Sequence, residues 1–270
     1  MVAVSRIARD AERLLGASVV AARPLAGGDL SSVFELELAG GERLVAKPGP
    51  AAEAEAAMLA AIAGAGAPAP SVVAVGPELL LMERLPSGGR LVGAWSDLAT
   101  VLNQLHGRRA DRFGWDTDHR FGAVTVRNGW SDDWPAFWAE RRLRCHLPHV
   151  DTELGRRIER LAGDLSGRLP AHPPASLLHG DLWGGNILVE DTRVSGLIDP
   201  ACYHGDREVD AAMLTLFDHP PPGFFDALGL EPGWRERQSI YRLWPLLVHL
   251  RLFGRGYAGS VAEALAALGV

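Results

Sequence analysis

The chain has 270 residues, of which 47% are hydrophobic and 22% charged, and a formal net charge of −6. That length and balance predict one large domain or two unequal ones with enough core to fold unaided, and exclude wholesale disorder. The acidic balance excludes a general nucleic-acid or membrane-surface binder, which needs a basic excess.

Residues 5–15 have the period of an amphipathic helix, with Ile7, Ala8, Ala11, Leu14 and Leu15 on one face and Gly16 as a stop. Arg6, Arg9, Asp10, Glu12 and Arg13 interrupt any apolar core of a signal peptide, and no apolar run in the chain is long enough to span a membrane. A soluble, cytoplasmic protein with no nucleic-acid or membrane partner is therefore expected. Val33–Leu38 alternates at period two and predicts a strand, Ala39–Glu42 a hairpin turn, and Arg43–Lys47 the returning strand. An alanine-rich helix is expected at about 53–63, then extended segments at 72–75 and 78–82.

Beyond Ser96 the apolar spacing becomes helical. Helices are expected over 97–106, with Asp97 or Ser96 as cap, and over 140–147, 152–165, 207–217 and 234–253. Two short strands, 187–190 and 194–198, turn at Asp191 and Thr192. Residues 111–135 are aromatic and turn-rich, as in an ordered insertion or loop. The pattern implies an α+β, bilobal chain: a small antiparallel β lobe with one helix over 1–85, and a larger, mainly helical lobe over 86–270.

Of 27 basic residues, 26 are arginine, and Lys47 is the single lysine; asparagine occurs only at 103, 128 and 186. Arginine and lysine are not interchangeable where a compact charge must fit a tight place, so Lys47 is a candidate before any motif is considered. The segment His179-Gly180-Asp181-Leu182-Trp183-Gly184-Gly185-Asn186, followed by Asp199-Pro200, has the polar layout that phosphoryl transfer demands. One carboxylate, Asp181, would orient or accept the proton of an attacking hydroxyl. An amide oxygen and a second carboxylate, Asn186 and Asp199, would hold Mg²⁺ against the phosphates of ATP. The hairpin between Asn186 and Asp199 would fold the second carboxylate back beside the first. The alternative is a polar turn whose Asp and Asn cap backbone groups.

Leu44-Val45-Ala46-Lys47 has the character of a strand that delivers a lysine to nucleotide phosphates. Glu53 and Glu55 are its candidate partners; two residues apart on a helix they face apart, and Glu55 is favoured because a solvated first turn suits Glu53. The loop containing Gly27, Gly28, Asp29, Leu30, Ser31 and Ser32 could lie over the phosphates, with Gly28, Ser31 and Ser32 supplying backbone N–H groups and hydroxyls. Glu83 and Leu85 lie where the lobes join and would offer backbone groups to adenine.

With these residues the chain resembles the fructosamine kinase (ketoamine kinase) family, within the protein-kinase-like and aminoglycoside-phosphotransferase group. The resemblance runs over nearly the whole chain. It includes Gly27-Gly28, Lys47, the Trp130–Trp138 stretch with Arg142-Leu143, the His179–Asn186 motif, Asp199-Pro200-Ala201, Tyr203–Glu208 and His249–Gly254. It implies transfer of the ATP γ-phosphate to a sugar hydroxyl of a ketoamine, free or protein-linked, whose product then decomposes to release the amine, a deglycation. It also implies Asp181 as catalytic base, Asn186 and Asp199 as magnesium ligands and Lys47 as the phosphate-binding lysine. Trp183 would lie beside the sugar, or pack under the catalytic loop; His249 would border the acceptor, or be a satisfied helix histidine. His179 and Asp210 are expected to be structural.

Many members of the family carry a cysteine in the glycine-rich loop; here Asp29 and Ser31 occupy that region. Cys145 and Cys202 are expected to be buried and inert. Two other functions remain: an aminoglycoside- or choline-type phosphotransferase, and a non-catalytic pseudokinase, against which stands the full set of Lys47, Asp181, Asn186 and Asp199.

Overall fold

The computed structural model describes residues 2–25 and 32–270. Gly28 and Ser31 of the expected phosphate loop lie outside the described residues. Helix α1 (Val2–Leu15) precedes β1 (Val19–Leu25), β2 (Val33–Leu38) and β3 (Arg43–Pro48); α2 (Ala52–Gly64) follows, then β4 (Val72–Gly76) and β5 (Leu79–Glu83). The five strands form one antiparallel sheet in the order β1-β2-β3-β5-β4. Strand β1 has no alternating pattern and ends at Pro24-Leu25; pairing with β2 makes it a strand.

Both faces of this sheet are covered, and β5 shows why its sequence, Leu-Leu-Leu-Met, is continuously apolar. Leu79 and Leu81 point to one face, where they pack with Phe34, Leu36 and Ala46 beneath Ile7 and Ala11 of α1. Leu80 and Met82 point to the other, against Ala52, Ala56 and Leu59 of α2. Successive strand residues alternate sides, so a strand sandwiched between two helices has no position left for a polar residue. Met58 and Ile62 of α2 reach past the sheet and join Leu98, Leu102, Leu177, Leu197 and Cys202 in a core shared with the rest of the chain.

The C-terminal part begins with α3 (Trp95–Gly107). Neither Ser96 nor Asp97 caps it: Asp97 lies within the first turn and accepts a 2.7 Å hydrogen bond from the Val194 N–H. Of the two readings of the 111–135 region, the ordered insertion is the one found. After the short β6 (Arg109–Ala110) it holds a hairpin of β7 (His119–Phe121) and β8 (Val124–Val126). The helix expected over 140–147 is also redrawn. A short α4 (Trp134–Trp138) starts at Asp133, whose side chain accepts from the Ala136 N–H, and widens into a π turn at Ala139–Leu143 and a 3₁₀ turn at Arg144–His149. The π turn carries Arg142 inward, fully buried, where it donates to the Arg127 carbonyl and Asn128 Oδ1 and lies over the rings of Tyr203 and Phe137.

The remaining elements are α5 (Thr152–Asp164), β9 (Ala175–Leu178), β10 (Ile187–Glu190), β11 (Arg193–Leu197), β12 (Tyr203–Gly205), α6 (Glu208–Phe217), α7 (Pro222–Leu228), α8 (Trp234–Phe253) and α9 (Ala258–Ala267). Strands β10 and β11 form the expected hairpin, and β12, β9 and β6 a second small sheet. The result is an α+β fold, an antiparallel N-terminal lobe set on a mainly helical C-terminal part. Among the described residues no helix is long and apolar enough to cross a membrane.

Candidate active site

Near the end of strand β3, one residue before its last pair, Lys47 stands opposite Leu80 at the mouth of the cleft between the two parts. Lys47 Nζ lies 2.8 Å from Glu55 Oε1 and 2.8 Å from Asp199 Oδ1. Glu55 is therefore the partner on α2, buried, while Glu53 faces solvent. Burial alone would lower the lysine pKa, but the two carboxylates together hold it above its ordinary value. Burial pushes the Glu55 carboxyl up, with Lys47 pulling it back.

The catalytic turn is held by a second buried carboxylate. Asp210, in the first turn of α6, accepts from the backbone N–H of His179 and of Gly180 at 2.9 Å each, and pairs with His106 Nε2 at 2.9 Å. His179 donates from Nε2 to the Ile198 carbonyl and receives the Asp181 N–H at Nδ1, so its neutral form links the two arms of the turn. Burial lowers its pKa in keeping with that role. Gly180 has φ +80°, and a Cβ there would lie 2.1 Å from the Ala201 carbonyl oxygen, so no other residue fits. Both His179 and Asp210 are structural, as expected.

The turn presents Asp181 and Asn186 side by side. The Asn186 amide nitrogen donates to the Asp181 carbonyl at 2.8 Å and to its Oδ2 at 3.1 Å. Because a carbonyl can only accept, this orients the amide and leaves Asn186 Oδ1 as an outward acceptor. Burial pushes the Asp181 pKa up to about 7; the Asn186 hydrogen bond opposes this, and the neighbouring Asp199 carboxylate adds to it. Hairpin β10–β11 brings Asp199 back to the cleft, where it takes φ +53°, a left-handed conformation rare for a non-glycine residue outside constrained sites. Lys47, Glu55 and Asp199 carry one more negative than positive charge, and Asp181 and Asn186 add further oxygens. The oxygens of Asp199, Asp181 and Asn186 are hard donors of the kind a divalent cation such as magnesium takes, while among the described residues no three His, Cys, Asp or Glu side chains gather into a metal cluster.

Beside Asp181 and Asn186 opens a cavity of about 390 Å³. Trp183 and His249 both line it, which brings the two expected acceptor residues together. The Trp183 ring covers Gly185, where a Cβ would meet it at 2.2 Å. His249 donates from Nδ1 to the Pro245 carbonyl at 2.7 Å, which satisfies one nitrogen and leaves Nε2 an acceptor. Phe121, Phe217, Trp244, Phe253 and Tyr257 complete the aromatic lining. The sequence had signalled Phe253 only through the late His249–Gly254 stretch, and Phe121 not at all, because it reaches the cavity through a hairpin hidden in an aromatic, turn-rich segment.

The other nucleotide-contact candidates are more scattered. Ser32 is exposed just before β2. The Glu83 carboxylate accepts from the Ser71 N–H and hydroxyl, and its own N–H donates to the Ser71 carbonyl at 2.9 Å, so its side chain and N–H are already engaged. Leu85 packs over Gly196 of β11, where a Cβ would lie 2.1 Å from its Cδ1. Cys202 is buried, as expected, but Cys145 is only half-buried, on the 3₁₀ turn after the buried Arg142.

A lysine between two carboxylates, above an Asp–Asn turn and a returning Asp, defines a kinase-like phosphotransferase. Solved structures agree on the fold: the macrolide 2′-phosphotransferase MphH of Brachybacterium faecium superposes with a TM-score of 0.64 at 18% identity, covering 99% of this chain and 98% of that one. Nearer is a crystal structure described as a "putative fructosamine-3-kinase" from Thermobifida fusca YX-ER1, with a TM-score of 0.89 and 30% identity over 98% of each chain. The "Probable ketoamine kinase YniA" of Escherichia coli K12 is 34% identical over 272 residues, 93% of each chain. The family model for fructosamine kinase matches residues 5–268. The chain belongs to the fructosamine kinase family and is an ATP-dependent phosphotransferase.

Proposed function

We propose that the protein phosphorylates a sugar hydroxyl of ketoamines, fructosamine or ribulosamine adducts of amines, with ATP and Mg²⁺, and that the labile product releases the amine in a deglycation repair. Residues 1–85 would bind the nucleotide and residues 86–270 carry the catalytic and acceptor groups. ATP as donor favours a cytoplasmic reaction.

The observation that carries the reading is Asp181, with its pKa raised to about 7, at the edge of a cavity walled by aromatic rings. A carboxylate of that basicity takes a hydroxyl proton more readily than an ordinary aspartate does. Asn186 orients it through Nδ2 and presents Oδ1, with Asp199, toward the metal side. Bound there, Mg²⁺ would neutralise phosphate charge. Lys47, held in place by Glu55, would contact the nucleotide phosphates, and Gly28, Ser31, Ser32 and the backbone of Glu83 and Leu85 would complete the nucleotide site. Trp183 offers a face to the C–H surface of a sugar, and His249 Nε2 an acceptor for one of its hydroxyls. Catalysis would consist of positioning and electrostatics.

The test is magnesium-dependent ATP consumption against ribulose-lysine, fructose-lysine, kanamycin and choline. Turnover on a ketoamine that is lost in Asp181→Asn supports the proposal. Turnover confined to kanamycin or choline replaces the acceptor class while leaving the phosphotransferase fold in place.

A further inference from the structure

Among the described residues the strongly exposed aromatic side chains are Trp183, Phe217 and Phe253, at 39%, 42% and 47%, and all three border the cavity beside Asp181. Folding gains by removing such rings from water, so a cluster of them left open beside a reactive carboxylate marks a surface that a ligand covers. The rings form a row. Trp183 meets Phe217 edge-on at 6.1 Å between centroids, Phe217 lies 5.4 Å from His249, and His249 lies 5.4 Å from Phe253 and 5.2 Å from Tyr257. It starts two residues after Asp181 and ends at the C-terminus of α8 and the 3₁₀ turn Arg255–Tyr257 that follows. The row therefore joins the loop that carries Asp181 to the end of α8.

The charged groups on the cavity wall are accounted for. Its carboxylates are Asp181 and Asp199, which are engaged by Asn186 and Lys47. Asp218, next in sequence to Phe217, accepts the Gly184 N–H at 2.7 Å. Among the described residues, no unengaged carboxylate lines the cavity at the Phe253 and Tyr257 end of the row to receive an ammonium group. A cation over a half-exposed ring keeps much of its hydration and gains little, whereas an apolar group laid along the row removes both surfaces from water.

We propose that the amine half of the acceptor is aromatic or bulky and apolar, and that Phe217, Phe253 and Tyr257 select it over a chain ending in a free ammonium. This rests on the ketoamine reading above. The sugar would occupy the inner end of the row, at Trp183, and the amine substituent the outer end.

The experiment compares kcat/KM of the wild-type enzyme on three adducts of one sugar, fructose or ribulose, made with methylamine, phenethylamine and 1,5-diaminopentane. The phenethylamine adduct is expected to exceed both others by about tenfold or more. In Phe253→Ala and Tyr257→Ala the phenethylamine-to-methylamine ratio should fall toward one; Phe253 is half in solvent, so its truncation leaves the core untouched, and a melting curve checks this. Equal or better turnover of the diaminopentane adduct overturns the inference and leaves the ketoamine reading standing. A preference for phenethylamine that survives both substitutions also overturns the role of these rings. No turnover on any of the three adducts, with ATP binding intact, overturns the ketoamine reading and the inference with it.

Discussion

On one side of the cleft, Lys47 is held at hydrogen-bonding distance by Glu55 and Asp199, and Asp181 by Asn186; on the other, the rings of Trp183, Phe217 and Phe253 stand partly in water. The polar side is organised without any ligand, because charges in a partly buried place are costly unless each faces a partner. The aromatic side carries no such penalty, so it can stay open until an acceptor covers it. On the proposed function, chemistry would be tied to preformed contacts that span both parts of the chain, and selectivity left to shape and apolar surface.

Asp181→Asn attacks the polar side at its reacting oxygen. It should lower kcat by about 10³-fold while ATP affinity, read by calorimetry, stays within about threefold. Asp199→Ala should instead remove magnesium-dependent nucleotide binding, and equal loss of binding in both variants would mean the two roles are exchanged. Next in size is Asp210→Asn, which keeps the shape but removes one of the two carboxylate oxygens that accept from His179, Gly180 and His106. A loss of about 3 kcal/mol in urea denaturation is expected, together with reduced turnover. An unchanged midpoint would show that the turn holds without this anchor.

Lys47→Arg preserves charge and changes shape. A planar guanidinium does not fit the point between Glu55 and Asp199 that the ammonium occupies at 2.8 Å from each, and kcat/KM should fall by about tenfold or more. Near wild-type activity would break the argument that this lysine was kept for its geometry.

The smallest effect concerns the aromatic side. His119, edge-on to Phe121 at 5.1 Å, has its pKa lowered to about 4 by burial first and Lys47 second, and His146 is lowered to about 3, chiefly by burial. Both are neutral in the folded state, whereas the unfolded chain takes up the protons at about pH 6.5. The contribution of these two groups to stability is therefore complete above pH 6.5 and falls as the pH drops toward the folded values, by up to about 1.4 kcal/mol per pH unit for each group. Asp181, with its pKa raised to about 7, acts in the opposite direction over the same range, so the histidine share is read by difference: between pH 7.5 and pH 5 the melting temperature of the wild type should lose ground to that of His146→Gln.

Much of the polar side was legible from the sequence because its residues lie in one motif or stand out by rarity. Asp181 and Asn186 are five apart on a single turn, Asp199 follows a hairpin whose length the strand pattern reveals, and Lys47 is the lone lysine. The choice of Glu55 followed from helical periodicity. The aromatic side was mostly hidden. Phe121, Phe217 and Tyr257 come from three separate elements, and each carries the local signal of an ordinary core residue. Strand β1 and the π turn at Ala139–Leu143 were equally invisible, one made by pairing with β2 and the other accompanying the burial of Arg142.

What the sequence alone determined is which polar groups come together: local spacing sets which side chains share a turn, and hydrophobic period sets which elements carry them. What only the tertiary structure decided is which face each ring presents and which of them converge beside Asp181. That convergence depends on packing between segments distant in the chain, and no local pattern encodes the contact between surfaces that meet only when the chain is folded.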